Sequence, residues 1–154
     1  MANQSARTVL VTTDFSDAAI FAYPEALKEA EARGLKLLLL HVYSDWGVPL
    51  ALYESLQVDL MEKLRQDICA SAAKQLEEHR RKFFKEIDVE TVLVGTETRT
   101  LGDAVCDVAK QRNAEVIVLA SRGHNPIAEL VLGSVAMRVL HHAPCSVLLV
   151  KSRE

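Results

Sequence analysis

Residues 116–123 read VIVLASRG, and after nine further residues GSVA follows at 133–136. The first segment is an apolar, β-branched run typical of a buried strand, and it ends in a loop that contains Gly123. The second segment predicts a helix start, where backbone N–H groups without intrahelical acceptors carry a partial positive charge. A strand, a glycine-containing loop and a helix N-terminus in this order indicate a phosphate-binding site. Glycine and serine are also ordinary turn and capping residues, so the spacing alone leaves both interpretations open.

The rest of the chain alternates between strand-like and helix-like segments. Strands are predicted at 8–13, 35–42, 89–94, 115–120 and 146–150, and helices from Ser16 to Gly34, from about 55 to 83, at 101–111 and at about 133–142. The second strand is a nearly continuous apolar run without alternation, which predicts a central strand covered on both faces. Pro24 predicts a bend in the first helix or a late start of it. This alternation predicts an α/β fold with a doubly wound, five-stranded parallel sheet and helices on both faces.

The fold class predicts where a ligand binds. In such sheets ligands lie beyond the carboxyl ends of the strands, at the point where the strand order reverses. If the first and fourth strands are neighbours, the segment Thr12-Thr13-Asp14 and the segment 120–123 meet at that point. Both loops would then face one crevice.

Composition narrows the classes of function. The 154 residues fit one domain over residues 1–154, and the formal charge of −3 argues against broad binding to nucleic acid or anionic membranes. No apolar run reaches the length of a membrane span and the chain starts without a signal-peptide pattern, so a cytoplasmic location is expected. The three cysteines are predicted to be reduced and mostly buried. His141, His142 and Cys145 lack a fourth ligand, so no metal site is predicted.

The motif resembles that of the universal stress protein family, whose nucleotide-binding members carry Gly-x-x-Gly, nine residues and then Gly-Ser or Gly-Thr. Here it reads Ala120-x-x-Gly123-x9-Gly133-Ser134. The resemblance extends to VTTDFS at 11–16, to His41-Val42 and to VLHHAPCSVLLV at 139–150, so it covers most of the chain. It implies a Rossmann-like sheet of the adenine nucleotide alpha hydrolase-like type.

The resemblance also implies a ligand: an adenine nucleotide (ATP, ADP or AMP), with Mg²⁺ or Mn²⁺ bridging its phosphate oxygens. Asp14 would hydrogen-bond the ribose or adenosine portion, the backbone of Val42 would contact adenine, and Thr12 and Thr13 would shape that side. A carboxylate suits hydroxyl donors and repels phosphates, so Asp14 would help to orient the ligand. The phosphates would be held by Gly123, Gly133, Ser134, Val135 and Ala136. The remaining candidate site residues are Ala120, Ser121, Arg122 and His124.

One position departs from the family motif, because Ala120 stands where the family has its first glycine. Alanine costs about 1 kcal/mol more than glycine at positive φ, but it fits if the backbone there has negative φ. Triphosphate, diphosphate and monophosphate binding therefore all stay open. His124 in the following loop could touch a terminal phosphate, although a solvent-facing histidine is the commoner case.

Three functions are compatible with these residues. The first is an adenine-nucleotide-binding regulatory protein of stress adaptation, which the motif favours. The second is a slow ATPase or phosphotransfer enzyme, with Arg122 and His124 as weak candidates and without the lysine of a standard NTPase loop. The third is an apo-type protein-interaction module. A homodimer through the last strand, 146–150, is expected in each case, because its apolar edge is liable to pair with another chain; a further protein partner would be unknown.

Overall fold

The computed structural model describes residues 7–44, 58–85, 87–96, 99–122 and 132–151. The strands are β1 (Thr8–Thr12), β2 (Lys36–Ser44), β3 (Val89–Thr96), β4 (Ala114–Ala120) and β5 (Ser146–Val150). The helices are α1 (Asp17–Ile20), α2 (Ala22–Arg33), α3 (Val58–Phe83), α4 (Leu101–Gln111) and α5 (Ser134–His142). All strand pairs are parallel, and the five strands lie in the order β3-β2-β1-β4-β5.

The predicted doubly wound sheet is confirmed, and β1 and β4 are neighbours, which is the condition under which their loops meet at one crevice. β2 is an inner strand that pairs with β3 on one side and β1 on the other, and β1 is the middle strand of the sheet. β2 and β3 both extend two residues beyond their predicted ends, because their pairing continues through Tyr43 opposite Gly95 and Ser44 opposite Thr96. Hydrogen bonding to a neighbour keeps these residues in the sheet although one of them is a glycine, which weakens a strand by itself.

The first predicted helix is two helices. α1 ends at Ile20, and α2 begins one residue after Phe21. Pro24 is the third residue of α2, in the first turn, where its missing N–H would have no intrahelical acceptor. A late start, rather than a bend in a continuous helix, therefore accommodates the proline. Gly34 ends α2 with a φ of 63°, the left-handed conformation typical of a helix C-terminus.

Side chains alternate between the two faces of the sheet and build a core on each. Val9, Val11, Leu37 and Leu39 pack with α2, α3 and the buried Phe84 on one face. On the other face, Leu10, Leu38, Leu40, Ile117 and Leu119 pack with α4 and α5. Each of these strand residues is at most 2% exposed, and full burial of such a side chain stabilises the fold by about 1.5–3 kcal/mol.

Two predictions of burial were wrong. Leu60 stands at helical spacing with Leu64, Ile68, Ala72 and Leu76, a pattern that predicts a buried face of the long helix. Its side chain is nevertheless 44% exposed, and the neighbouring Met61 is buried at 8%. Of the three cysteines, which are all free thiols, Cys106 is buried and Cys69 and Cys145 are half-buried. The predicted beginning of the long helix before Val58 lies outside the described residues.

Candidate nucleotide-binding site

A cavity of about 340 Å³ lies at the carboxyl ends of β1 and β4. β1 is the point where the strand order reverses, since β2 and β3 lie on one side of it and β4 and β5 on the other. The helices that follow β1 and β4 cover opposite faces of the sheet, so the loops after β1 and β4 diverge and leave a crevice between them.

Most of the predicted site residues line this cavity. They are Thr12, Thr13, Asp14, Val42, Ala120, Arg122, Gly133, Ser134, Val135 and Ala136. Ser121 contributes backbone bonds beside the cavity, and Gly123 and His124 lie outside the described residues. The structure therefore brings the segment after β1 and the start of α5 to one place, as the sequence predicts.

The apolar wall of the cavity was missed by the sequence analysis. Leu40 of β2 and Leu119 of β4 line the wall from the sheet, and Leu101 and Val105 of α4 line it from the covering helix. Ala19 of α1 completes the lining. Leu101 and Val105 are four residues apart and so lie on the same face of α4. Their spacing was a visible signal for a buried helix face, but not for a face that borders a cavity.

The segment after β1 is a tight corner held by its own side chains. The hydroxyl of Thr13 accepts a hydrogen bond from the N–H of Phe15 at 3.0 Å. The carboxylate of Asp14 accepts bonds from the N–H of Ser16, at 3.0 Å, and from the Ser16 hydroxyl. Ser16 also caps α1, because its Oγ accepts from the N–H of Ala19 at 3.3 Å, as predicted. Each side chain in the corner therefore fixes the next.

This corner contains a backbone conformation that non-glycine residues rarely adopt. Phe15 has a φ of 66°, which costs an L-residue roughly 1–2 kcal/mol. The ring of Phe15 packs against His41 with centroids 4.2 Å apart and against His79 at 5.0 Å. Strain of this kind persists where the surroundings over-determine it, and it concentrates at binding sites. Phe15 therefore turns the chain sharply just after Asp14, and the packing of its ring holds the turn.

His41 supports the same corner from β2. Its Nδ1 lies 2.7 Å from the carbonyl oxygen of Thr13, to which it donates, while the Thr13 N–H donates to the carbonyl of Leu40 at 2.8 Å. Burial lowers the pKa of His41, since the half-buried ring is less stable in its charged form. His41 is thus a hydrogen-bonded structural histidine, the commoner role for a histidine that follows an apolar run in a buried strand.

The opposite side of the cavity is the N-terminus of α5. The N–H of Gly133 donates to the carbonyl of Ser121 at 3.0 Å, and the N–H of Ser121 donates to the carbonyl of Val150 at 2.9 Å. Helix bonding begins where Met137 donates to Gly133 at 2.9 Å. The N–H groups of the intervening residues Ser134, Val135 and Ala136 have no acceptor within the helix. These three groups give this end of the cavity a partial positive charge, which is suited to an anion.

Ala120 fits this geometry. The positive φ values at non-glycine residues in the described part of the chain belong to Phe15 and Asn113, so Ala120 ends β4 without that strain. The cost of alanine at positive φ therefore does not arise. The methyl group of Ala120 borders the cavity beside the start of α5.

Two contacts hold α5 against α4. Arg138 makes a two-point ion pair with Asp103, at 2.7 and 3.0 Å, and this bond is the main reason why the pKa of Asp103 is lowered. Gly102 lies so close to α5 that a Cβ there would stand 2.6 Å from the Cβ of Arg138. The position of the N–H groups at the start of α5 is thus set by the packing of these two helices.

The described residues contain no group of three or more histidine, cysteine, aspartate or glutamate side chains that could hold a metal ion. Asp14 is the one acidic residue in the described lining of the cavity. Within the same parts of the chain, no helix is both long and apolar enough to cross a membrane.

The fold places this chain among the doubly wound α/β proteins, and its crevice lies where proteins of this class bind ligands, at the point where the strand order reverses. Residues 5–151 match the model of the universal stress protein family. The chain belongs to this family. A relative from Thermus aquaticus, the universal stress protein in the QAH/OAS sulfhydrylase 3' region, is 30% identical over 149 residues, which cover 94% of this chain and 98% of the relative.

Solved structures show the same fold. The universal stress protein UspA from Lactobacillus plantarum superposes with a TM-score of 0.73 at 27% identity, covering 95% of this chain and 97% of that chain. A universal stress protein in complex with cAMP has a TM-score of 0.66 at 24% identity, covering 96% of this chain and 98% of that one. The universal stress protein from Archaeoglobus fulgidus in complex with dAMP has a TM-score of 0.66 at 22% identity, covering 96% and 99%.

Proposed function

We propose that the protein binds an adenine nucleotide in the crevice between β1 and β4 and acts as a regulatory protein in stress adaptation. One observation carries the proposal: the corner Thr12-Thr13-Asp14 and the first turn of α5 line the same cavity of about 340 Å³. The first can accept hydrogen bonds from hydroxyl groups, and the second can donate to an anion. A nucleotide is a ligand that needs both.

The polarity of the cavity supports one orientation of the ligand. The Asp14 carboxylate repels phosphate groups, whereas the N–H groups of Ser134, Val135 and Ala136 attract them. The apolar side chains of Leu40, Leu101 and Leu119 can cover a flat heterocycle. Adenosine would therefore lie beside β1 and β2, with the backbone of Val42 at the base, and the phosphates would lie at α5. Gly123 and His124 stay predicted members of the phosphate side.

Similar proteins support the choice of ligand class. The complexes with cAMP and dAMP each contain adenine and one phosphate group. ATP and ADP belong to the proposal because the N–H groups of Ser134, Val135 and Ala136 can donate to the oxygens of more than one phosphate group. A bridging Mg²⁺ or Mn²⁺ would take most of its ligands from phosphate oxygens, since Asp14, at the opposite end, is the one acidic side chain in the described lining.

We favour binding over the alternative of a slow ATPase or phosphotransferase. Asp14 accepts two hydrogen bonds from Ser16 and would lie at the nucleoside end, far from a terminal phosphate. Arg122 is the positively charged residue in the described lining of the cavity, so it is the described residue that could stabilise a phosphate group during its transfer. An interaction module without a ligand would not require the strained turn at Phe15 beside Asp14.

The test compares three proteins. Freshly purified wild-type protein is denatured, the released small molecules are chromatographed, and the emptied protein is titrated with AMP, ADP and ATP with and without Mg²⁺. Gly133 has a φ of −58°, which aspartate and asparagine both adopt, and both are good helix-capping residues. Gly133→Asp adds a negative charge at the phosphate end and should abolish binding without loss of stability. Gly133→Asn, the neutral control, should weaken binding less. Wild-type protein that releases no nucleotide and binds none would contradict the proposal.

We also propose that two copies pair through β5, which forms an edge of the sheet. Beside β5, α5 presents Met137 and Leu140, each 43% exposed, one residue after its buried Ala136 and Val139. An open strand edge, with exposed apolar side chains on the helix that contacts this strand, suits a two-fold interface. The cytoplasmic location and any further protein partner stay predictions from the sequence.

Sedimentation velocity tests the dimer. Val147 and Leu149 of β5 pack against the core, so charges there would disturb folding. Exposed positions are better targets: Met137→Lys combined with Leu140→Lys should give monomers. Leu60→Lys, at an apolar side chain of similar exposure on α3, should leave the dimer intact. A monomeric wild-type protein, or a dimeric double variant, would contradict this interface.

A further inference from the structure

The hydroxyl of Tyr23 lies directly behind the corner that the proposed function uses. Tyr23 belongs to α2, is 2% exposed and donates to the Thr13 Oγ1 at 2.6 Å. Its ring packs against Phe83 and Phe84, with centroids 5.4 and 5.0 Å away. A phenylalanine would fill the same space without burying a polar group, so the packing gives no reason for the hydroxyl.

We propose that Tyr23 is a positioning residue of the nucleotide site: its hydroxyl, oriented by His79, holds the Thr13 side chain and thereby the turn that aims Asp14 into the cavity. This inference rests on the proposed function. Tyr23 does not line the cavity itself and acts through Thr13, which does.

The number of protons on the Tyr23 hydroxyl decides which partner donates in each of its two hydrogen bonds. Burial raises the pKa of Tyr23 to about 12, so the hydroxyl keeps its one proton in the physiological range. That proton goes to Thr13. The contact of 3.2 Å between the Tyr23 oxygen and Nδ1 of His79 therefore requires the histidine to donate. His79 must carry its proton on Nδ1, and the chain of bonds runs from His79 through Tyr23 to Thr13.

Thr13 connects this series of hydrogen bonds to the site. Its Oγ1 accepts from both Tyr23 and the N–H of Phe15, and Phe15 is the residue with left-handed backbone. Without the tyrosine hydroxyl, the threonine side chain can rotate about χ1 and release the Phe15 N–H. The turn then loses one of the bonds that balance its strain, and Asp14, between the two residues, loses its fixed direction.

The experiment compares Tyr23→Phe with a matched control at the other end of β1. The Thr8 hydroxyl is also buried, and it donates to the carbonyl of Arg112 at 3.0 Å, far from the cavity. Thr8→Val therefore removes one buried hydroxyl bond without touching the site. Calorimetric titration with AMP and with MgATP should show Tyr23→Phe binding about five- to tenfold more weakly than wild type, the effect of one lost hydrogen bond. Thr8→Val should bind as wild type does.

A second readout is specific to the bond chain. Imidazole ¹⁵N NMR should show His79 protonated on Nδ1 in the wild-type protein, and Tyr23→Phe should move that proton toward Nε2. A purely structural role for the tyrosine ring would leave the affinity unchanged, since phenylalanine keeps the ring.

The outcomes separate the two proposals. Wild-type protein that binds neither AMP nor MgATP refutes the proposed function, and the positioning role with it. Wild-type binding with equal affinity in Tyr23→Phe overturns the positioning role alone, as does equal weakening in Tyr23→Phe and Thr8→Val. Weaker binding of Tyr23→Phe with an unchanged His79 tautomer overturns the role given to His79.

Discussion

Gly102→Ala tests whether the packing of α4 against α5 sets the position of the N–H groups at the start of α5. A Cβ at residue 102 would stand 2.6 Å from the Cβ of Arg138 and 3.2 Å from the carbonyl oxygen of Val135. Neither atom is the far end of a flexible side chain, so rotation of a side chain cannot relieve the clash. α5 has to move away from α4.

The size of the movement follows from the contact. Ordinary van der Waals contact begins at 3.4 Å, so the two Cβ atoms must separate by about 0.8 Å. Overpacking of this kind costs about 1–3 kcal/mol, and alanine's better helix propensity returns up to about 1 kcal/mol. We expect a net loss of roughly 1–2 kcal/mol in the free energy of unfolding. Because the N–H of Val135 is one of the proposed phosphate donors, the movement should cost at least one charged hydrogen bond, or about tenfold in nucleotide affinity.

The assay is urea unfolding together with AMP titration. Gly34→Ala is the matched control, because Gly34 has a φ of 63° and an added Cβ would meet nothing within 4 Å. That variant should lose about 1 kcal/mol through backbone strain and keep its nucleotide affinity. If Gly102→Ala kept wild-type stability and affinity, or if the two variants lost affinity equally, α4–α5 packing would not control the site.

Three further predictions concern pH, the departure from the family motif and the core. Burial is the main cause that lowers the pKa of both His41 and His79, so the unfolded chain binds more protons than the folded one as pH falls from 7.5 to 5.5. The free energy of unfolding should therefore decrease over that interval, and less so in His41→Asn; a pH-independent value would contradict this. Ala120→Gly should leave nucleotide affinity in calorimetry unchanged within a factor of about two, since extended backbone does not require glycine, and a tenfold gain would oppose this account. Phe84→Ala, at a side chain 1% exposed, should cost about 3–5 kcal/mol in denaturant unfolding, and a loss below about 1.5 would mean that the site repacks.

The order of helices and strands along the chain and the ends of several elements could be predicted because they have local causes, whereas the order of the strands across the sheet could not. α4 begins and ends as predicted, with the side chain of Thr100 capping its first turn. Burial on the long helix could not be predicted in the same way. Leu60 and Met61 both fit an apolar stripe, and only the packing of α3 on the sheet decides that Met61 is buried. Periodicity locates the buried face of a helix only to within about one residue. Here that uncertainty covers both Leu60 and Met61, of which Met61 is the buried one.

The residues of the candidate site also fall into two groups: those that the sequence predicts and those that depend on the packing of the helices. Thr12, Thr13, Asp14 and the start of α5 directly follow strands or loops, so the chain order places them at the crevice. The apolar wall from Leu101 and the support from Tyr23 come from helices whose sequences look like ordinary core. The sequence around Phe15 does not predict its positive φ, because the rings that pack against it belong to His41 of β2 and His79 of α3.

The central claim is that an adenine nucleotide binds between the β1 corner and the N-terminus of α5. Backbone ¹H–¹⁵N NMR during a titration with AMP, repeated with MgATP, tests it residue by residue. The amides of Thr13, Asp14, Ser134, Val135 and Ala136 should shift together and saturate at one ligand per chain. Saturable shifts confined to other parts of the protein, or no shifts at millimolar nucleotide, would contradict the claim.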